Sequence, residues 1–125
     1  MKAKILIVDD SALSRRTLRR ILESTGYDVV EADDGMTALE VYFLEKPDLV
    51  LLDLVMKGMY GLDVLAKLRE MDQGVKVIVV SADVQTSSQQ LVNDAGAAGF
   101  LIKPLEADQI LPLIRSTLEG SGKCN

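Results

Sequence analysis

Five residues with reactive or charged side chains stand directly after short apolar runs. Asp9 and Asp10 follow Lys4 to Val8, Asp53 follows Asp48 to Leu52, Ser81 follows Val75 to Val80, and Lys103 follows Gly99 to Ile102. Three carboxylates brought together repel one another and destabilise a fold unless a cation joins them. A hard divalent ion is the natural remedy. Mg2+ takes oxygen ligands octahedrally, keeps several waters, and is usually held by one or two carboxylates plus phosphate oxygens; Ca2+ is less suited, since no EF-hand spacing appears. With such an ion present, one carboxylate can attack a phosphoryl group and form an acyl phosphate. That transfer depends on positioning and on neutralising the equatorial oxygens, for which Lys103 offers a point charge and Ser81 a hydroxyl donor. Asp53 is the best nucleophile candidate, because it ends the central run and precedes a loop able to shape a phosphate pocket. Any one of these residues alone is more often a cap or a turn residue; their joint placement argues for a site.

Composition narrows the chemistry further. The 125 residues include 14 Lys and Arg, 19 Asp and Glu, and no histidine, for a net charge of −5. Without imidazole there is no Ser-His-Asp or Cys-His catalysis, no histidine metal ligand and no histidine-borne phosphoryl group. The acidic balance excludes a nucleic-acid or anionic-membrane surface, both of which require clustered positive potential. Cys124 is the single cysteine, so no intrachain disulfide can form. The first apolar run is too short, and too soon followed by acids, for a signal peptide or membrane span. A soluble, monomeric, cytoplasmic protein is expected.

These residues need elements to position them. Short apolar runs alternate with amphipathic segments five times along the chain, the pattern of repeated βα units. Ser11 caps a first helix with apolar positions Leu13, Thr17, Leu18, Ile21 and Leu22, ended by Gly26. A second strand, Asp28 to Ala32, leads to a helix from Met36 to Glu45 closed by Pro47. Further helices are expected over Leu62 to Met71, Gln85 to Ala95 and Glu106 to Leu118. The Gln85 to Ala95 window is polar, with apolar contact only from Leu91, Val92 and Ala95, and should be the least firmly packed. Pro112 lies too far into the last helix for its first turn and should kink it. One domain over residues 1–119 with a frayed tail at 120–125 follows. Five units are too few for a closed eight-fold barrel, so the fold class is α/β with an open, doubly wound parallel sheet. Ligands bind such sheets at the carboxyl ends of the strands, where all the candidate residues fall.

Val8-Asp9-Asp10, Asp53 with Met56, Met59 and Gly61, Ser81-Ala82, and Gly99 to Pro104 together resemble a response-regulator receiver domain of two-component signalling, over Lys4 to Leu118. The resemblance implies a flavodoxin-like sheet of order 2-1-3-4-5. It implies Asp53 as phosphoacceptor, with Mg2+ held by Asp10, Asp53 and the Val55 carbonyl and by Asp9 through water. Ser81 and Lys103 would hold the phosphoryl oxygens, and Phe100 would be the switch aromatic. The implied donor is a phosphohistidine on a sensor kinase or histidine phosphotransfer protein, in keeping with the absence of histidine here. The implied output is a contact with a downstream protein target through the fourth helix, fifth strand and fifth helix.

Departures from the family pattern carry their own expectations. Lys57 replaces a usual proline and Tyr60 precedes Gly61, so that loop should be more mobile, and Lys57 or Tyr60 either faces a partner or is simply exposed. Val55 and Asp83 match positions flanking the hydrolytic water; valine cannot orient it, and an acid near the phosphoryl group either repels or assists it, which implies slow self-hydrolysis and a separate phosphatase. Arg15, Arg16, Arg19 and Arg20 form a basic face on the first helix, read either as solvated or as a docking face for the donor. An aspartate-nucleophile phosphatase would need an acid at Val55. A flavin-binding flavodoxin would need a hydroxyl- and glycine-rich loop where Asp9-Asp10-Ser11 stands. A degenerate receiver that binds partners without phosphorylation is the remaining alternative, and the intact set of five residues argues against it.

Overall fold

An aliphatic run that continues without polar interruption must be covered on both faces, the situation of an interior parallel strand. The computed structural model describes residues 2–54, 56, 60–82 and 86–120. It contains strands β1 (Lys4–Val8), β2 (Asp28–Ala32), β3 (Leu49–Asp53), β4 (Val77–Ser81) and β5 (Gly99–Ile102). Between and after them run helices α1 (Ala12–Ser24), α2 (Gly35–Glu45), α3 (Gly61–Met71), α4 (Thr86–Asp94) and α5 (Ala107–Gly120). All strand pairs are parallel and the order is β2-β1-β3-β4-β5. This is the open doubly wound sheet, with β3 at its centre and the order reversing beside β1. No helix of the described residues is long and apolar enough to cross a membrane.

Strand alternation divides the core into two layers. Ile5, Ile7, Leu49, Leu51 and Ile78 pack against Leu18 and Leu22 of α1 and Ile110 and Ile114 of α5. Leu6, Val8, Val50, Leu52, Val77 and Val79 pack against Ala38 and Tyr42 of α2, Val64, Leu65 and Leu68 of α3, and Val92 of α4. Each buried Leu, Ile or Val among them contributes about 1.5–3 kcal/mol. Capping matches local chemistry: Ser11 accepts from Ser14 N at 3.2 Å, and Asp34 accepts from Thr37 N at 2.7 Å. That second bond holds the Asp34 carboxyl below its ordinary pKa. Near the opposite edge of the sheet from the strand-end acids, Lys76 Nζ donates to the Leu118 carbonyl at 3.2 Å, fastening the end of α5 beside the start of β4.

Several sequence expectations shift. β3 begins at Leu49 and includes Asp53, and β4 begins at Val77, because Val75 N turns back to the Asp72 carbonyl and Lys76 supplies the carbonyl for Val50 N. α2 is ended by Lys46 in the left-handed conformation, φ 48°, one residue before Pro47. Pro112, expected to kink α5, is exposed within a single helical run. α5 extends to Gly120, and residues 121–125, Cys124 included, lie outside the described residues. Leu13 and Thr17 are not core positions: both are exposed and line a groove against Pro104 and Leu105, while Leu18 and Leu22 make the buried contact of α1. Leu91 is likewise exposed, leaving Val92 as the buried anchor among the described α4 side chains.

Candidate functional site

Asp9, Asp53 and Lys103 share an edge and a face. Asp9 continues the alternation of Ile5 and Ile7, Asp53 that of Leu49 and Leu51, and Lys103 that of Leu101, all on the layer covered by α1 and α5. The Lys103 ammonium consequently donates to Asp9 Oδ2 at 3.1 Å and lies 3.4 Å from Asp53 Oδ2. Burial by itself would lower the Lys103 pKa, but the attraction of Asp53 and Asp9 outweighs it and the pKa is raised. Asp9 and Asp53 are buried, whereas Asp10 is exposed at the rim. Carboxylate oxygens from Asp9, Asp10 and Asp53 all lie within 4.8 Å of one another. One lysine between two buried acids leaves an excess of negative charge with oxygen donors only, a set that suits a hard divalent cation better than a soft one.

The remaining candidates surround this cluster. Ser81 ends β4 fully buried, and its carbonyl accepts from Lys103 N at 2.9 Å, linking the hydroxyl-bearing strand end to the lysine backbone. Phe100 pairs in register with Val79, and Ile102 with Ser81, so Phe100 shares a face with the serine and packs, half-buried, on the α2–α3–α4 layer. Val55, assigned a carbonyl ligand, lies outside the described residues, as do Lys57, Met59 and Asp83. Met56 is buried, and Tyr60 is 43% exposed at the start of α3.

Two residues matter here for reasons invisible in the pattern. Gly61 N donates to the Leu54 carbonyl at 2.8 Å, closing the loop after Asp53, and a Cβ on Gly61 would lie 2.6 Å from the Asp53 carbonyl oxygen. Close backbone approach explains this glycine. The basic face of α1 is divided. Arg15 and Arg19 each pair with one oxygen of Glu31 on β2, while Arg16 and Arg20 face solvent. Arg15 also donates from Nη1 to the Asp9 carbonyl at 2.7 Å.

The family model of the response regulator receiver domain matches residues 5–115. The chain belongs to that family. This receiver is 40% identical over 119 residues to chemotaxis protein CheY of Bacillus subtilis (strain 168), covering 94% of this chain and 99% of that protein. Among solved structures it resembles a CheY-like receiver domain protein of Methanospirillum hungatei JF-1, at TM-score 0.91 and 28% identity over 96% of each chain. It also resembles a chain of the CheX-CheY-BeF3-Mg+2 complex of Borrelia burgdorferi, at TM-score 0.88 and 32% identity, covering 91% of this chain and 87% of that one. Receivers are phosphoaccepting switches of two-component signalling that bind Mg2+ at an acidic pocket. This receiver carries its acidic cluster at the carboxyl edge of the sheet.

Proposed function

We propose that this receiver accepts a phosphoryl group on Asp53 from a phosphohistidine donor in a Mg2+-dependent reaction. The observation that carries this reading is the convergence of Asp9, Asp10 and Asp53 within 4.8 Å, with Lys103 Nζ bridging the two buried acids. Asp10, Asp53 and the Val55 carbonyl would hold the cation, with Asp9 supporting it from the outer shell, and the cation so held would supply positive charge to the phosphoryl oxygens. An Asp53 carboxylate oxygen attacks phosphorus. The P–N bond to the donor imidazole breaks, and its electron pair remains on the imidazole nitrogen. Lys103 moves from bridging carboxylates to pairing with a phosphoryl oxygen, and the Ser81 hydroxyl donates to another.

Signal output follows from the same strand ends. Drawing Ser81 toward the phosphoryl group vacates space on the face it shares with Phe100. The aromatic ring turns inward and re-forms the α4–β5–α5 surface for a downstream protein. α4, held among its described side chains by Val92, is the element with least to lose in that change. The groove of about 490 Å³ between the first turn of α1 and the β5–α5 loop is lined by Leu13, Thr17 and Lys103, and it gives a donor helix access beside the acceptor. With Val55 unable to orient water, self-hydrolysis is slow and a separate phosphatase resets the switch.

Intact-mass measurement after incubation with Mg2+ and acetyl phosphate tests the acceptor. The unmodified protein should gain one phosphoryl mass and Asp53→Asn none. No gain, or equal gain by both proteins, would sink the assignment. Transfer from a phosphorylated histidine phosphotransfer protein, monitored the same way, tests the donor class.

A further inference from the structure

Asp9 is held by hydrogen bonds from four segments. Its N–H donates to the Ala32 carbonyl at 3.1 Å, Oδ1 accepts from Ser11 N at 2.9 Å, and Oδ2 accepts from Lys103 Nζ at 3.1 Å. Its carbonyl accepts from Arg15 Nη1 at 2.7 Å. This last bond differs in kind, since it is charge-assisted and acts on the planar peptide joining Asp9 to Asp10. Fixing that plane fixes how two successive carboxylates leave the backbone. Arg15 is itself aimed: its Nε donates to Glu31 Oε1 at 2.9 Å, Glu31 stands beside Ile7 in the β1–β2 register, and Arg19 occupies the other Glu31 oxygen. A guanidinium can serve both acceptors at once because its donors form a rigid fork.

We propose that Arg15 is a positioning residue for divalent-cation binding, its fork anchored by Glu31 and holding the Asp9–Asp10 peptide so that both acids face the cation. The inference rests on the reading of the acidic cluster as a Mg2+ site. Its predicted sign opposes simple electrostatics. Deleting a cation near three carboxylates should tighten Mg2+ binding if charge alone matters. Deleting an outer-shell support weakens it, commonly 10–100-fold.

The test is calorimetric titration of Mg2+, at fixed ionic strength, into the unmodified protein, Arg15→Met, Arg15→Lys and Arg20→Met, with thermal unfolding of each recorded alongside. Arg15→Met should bind at least about tenfold more weakly. Arg15→Lys should fail to recover affinity, because one ammonium cannot span Glu31 and the Asp9 carbonyl as the fork does. Arg20→Met removes the same charge from an exposed position on α1 and should bind like the unmodified protein. Unchanged or tighter binding by Arg15→Met, full recovery by Arg15→Lys, or equal weakening by Arg20→Met overturns the proposal. If Arg15→Met does not fold, Arg15→Lys decides, since unmodified affinity there is enough to reject it. Failure of the unmodified protein to bind Mg2+ overturns the site reading and this inference together, whereas the variant outcomes bear on Arg15 alone.

Discussion

Gly61 shows how a residue without a side chain shapes a site built of side chains. Its missing Cβ leaves room for the Asp53 and Leu54 backbone, the nearest atoms to that vacant position being the Asp53 oxygen at 2.6 Å and Leu54 Cα at 2.7 Å. Gly61→Ala should therefore cost about 1–3 kcal/mol, the range of an overpacked core. It should also displace Asp53. Urea unfolding and Mg2+ titration on the variant check both, and a variant as stable as the parent with unchanged Mg2+ affinity would show that the backbone yields freely. At this scale much was legible in the sequence. Asp9, Asp10, Asp53 and Lys103 were found because apolar runs stop at them. The role of Gly61 was not, because a close approach between residues eight positions apart leaves no mark on hydropathy. Arg15 was visible only as one of four arginines, since its partners Glu31 and the Asp9 carbonyl are brought to it by the fold.

The α1–β2 clamp behaves as a unit. Arg19 and Arg15 each take one oxygen of Glu31, and their hydrogen bonds, that of Arg19 foremost, hold the Glu31 carboxyl below its ordinary pKa of 4.5 despite opposing burial. A depressed folded-state pKa means that the stabilisation is complete above the unfolded value and disappears as pH falls through the folded one. Glu31→Gln should thus be less stable than the parent near neutrality, by up to about 1 kcal/mol at low salt for a partly exposed pair. The gap should close below pH 4.5 as the parent's Glu31 protonates. Urea unfolding of both proteins across that range checks it; a gap that persists unchanged into strong acid would mean Glu31 acts by shape and not charge. Element positions were readable from periodicity, yet their ends were not always. Val75 is apolar and buried and so reads as strand, but its N–H bonds to the Asp72 carbonyl in a turn. Leu13 has helical spacing with Thr17, yet nothing in that spacing tells that both line an open groove against Pro104 and Leu105 rather than the core.

For the molecule as a whole, sheet order decides where charge collects. Placing β3 between β1 and β4 draws three carboxylates to one edge of a chain whose net charge is already −5. Relief of that crowding should be measurable as stability. Mg2+ at ten times its Kd should add about 1.4 kcal/mol, a rise in Tm of roughly 3–6 °C for a domain of this size. NaCl at matched ionic strength should add less, and Asp10→Asn should blunt the Mg2+ response. An equal rise with NaCl, or in Asp10→Asn, would speak for general screening. The overall architecture was the most legible level, because continuous aliphatic runs admit few arrangements other than a covered parallel sheet. The order of the strands came from family likeness, since alternation alone does not say which runs are neighbours. The same arrangement has a corollary for the course of the chain. β1 starts, and α5 is pinned by Lys76 to finish, near the edge remote from the acids. The described chain therefore both starts and finishes on the side of the sheet away from the acidic cluster, which keeps the carboxyl edge free of either of those segments.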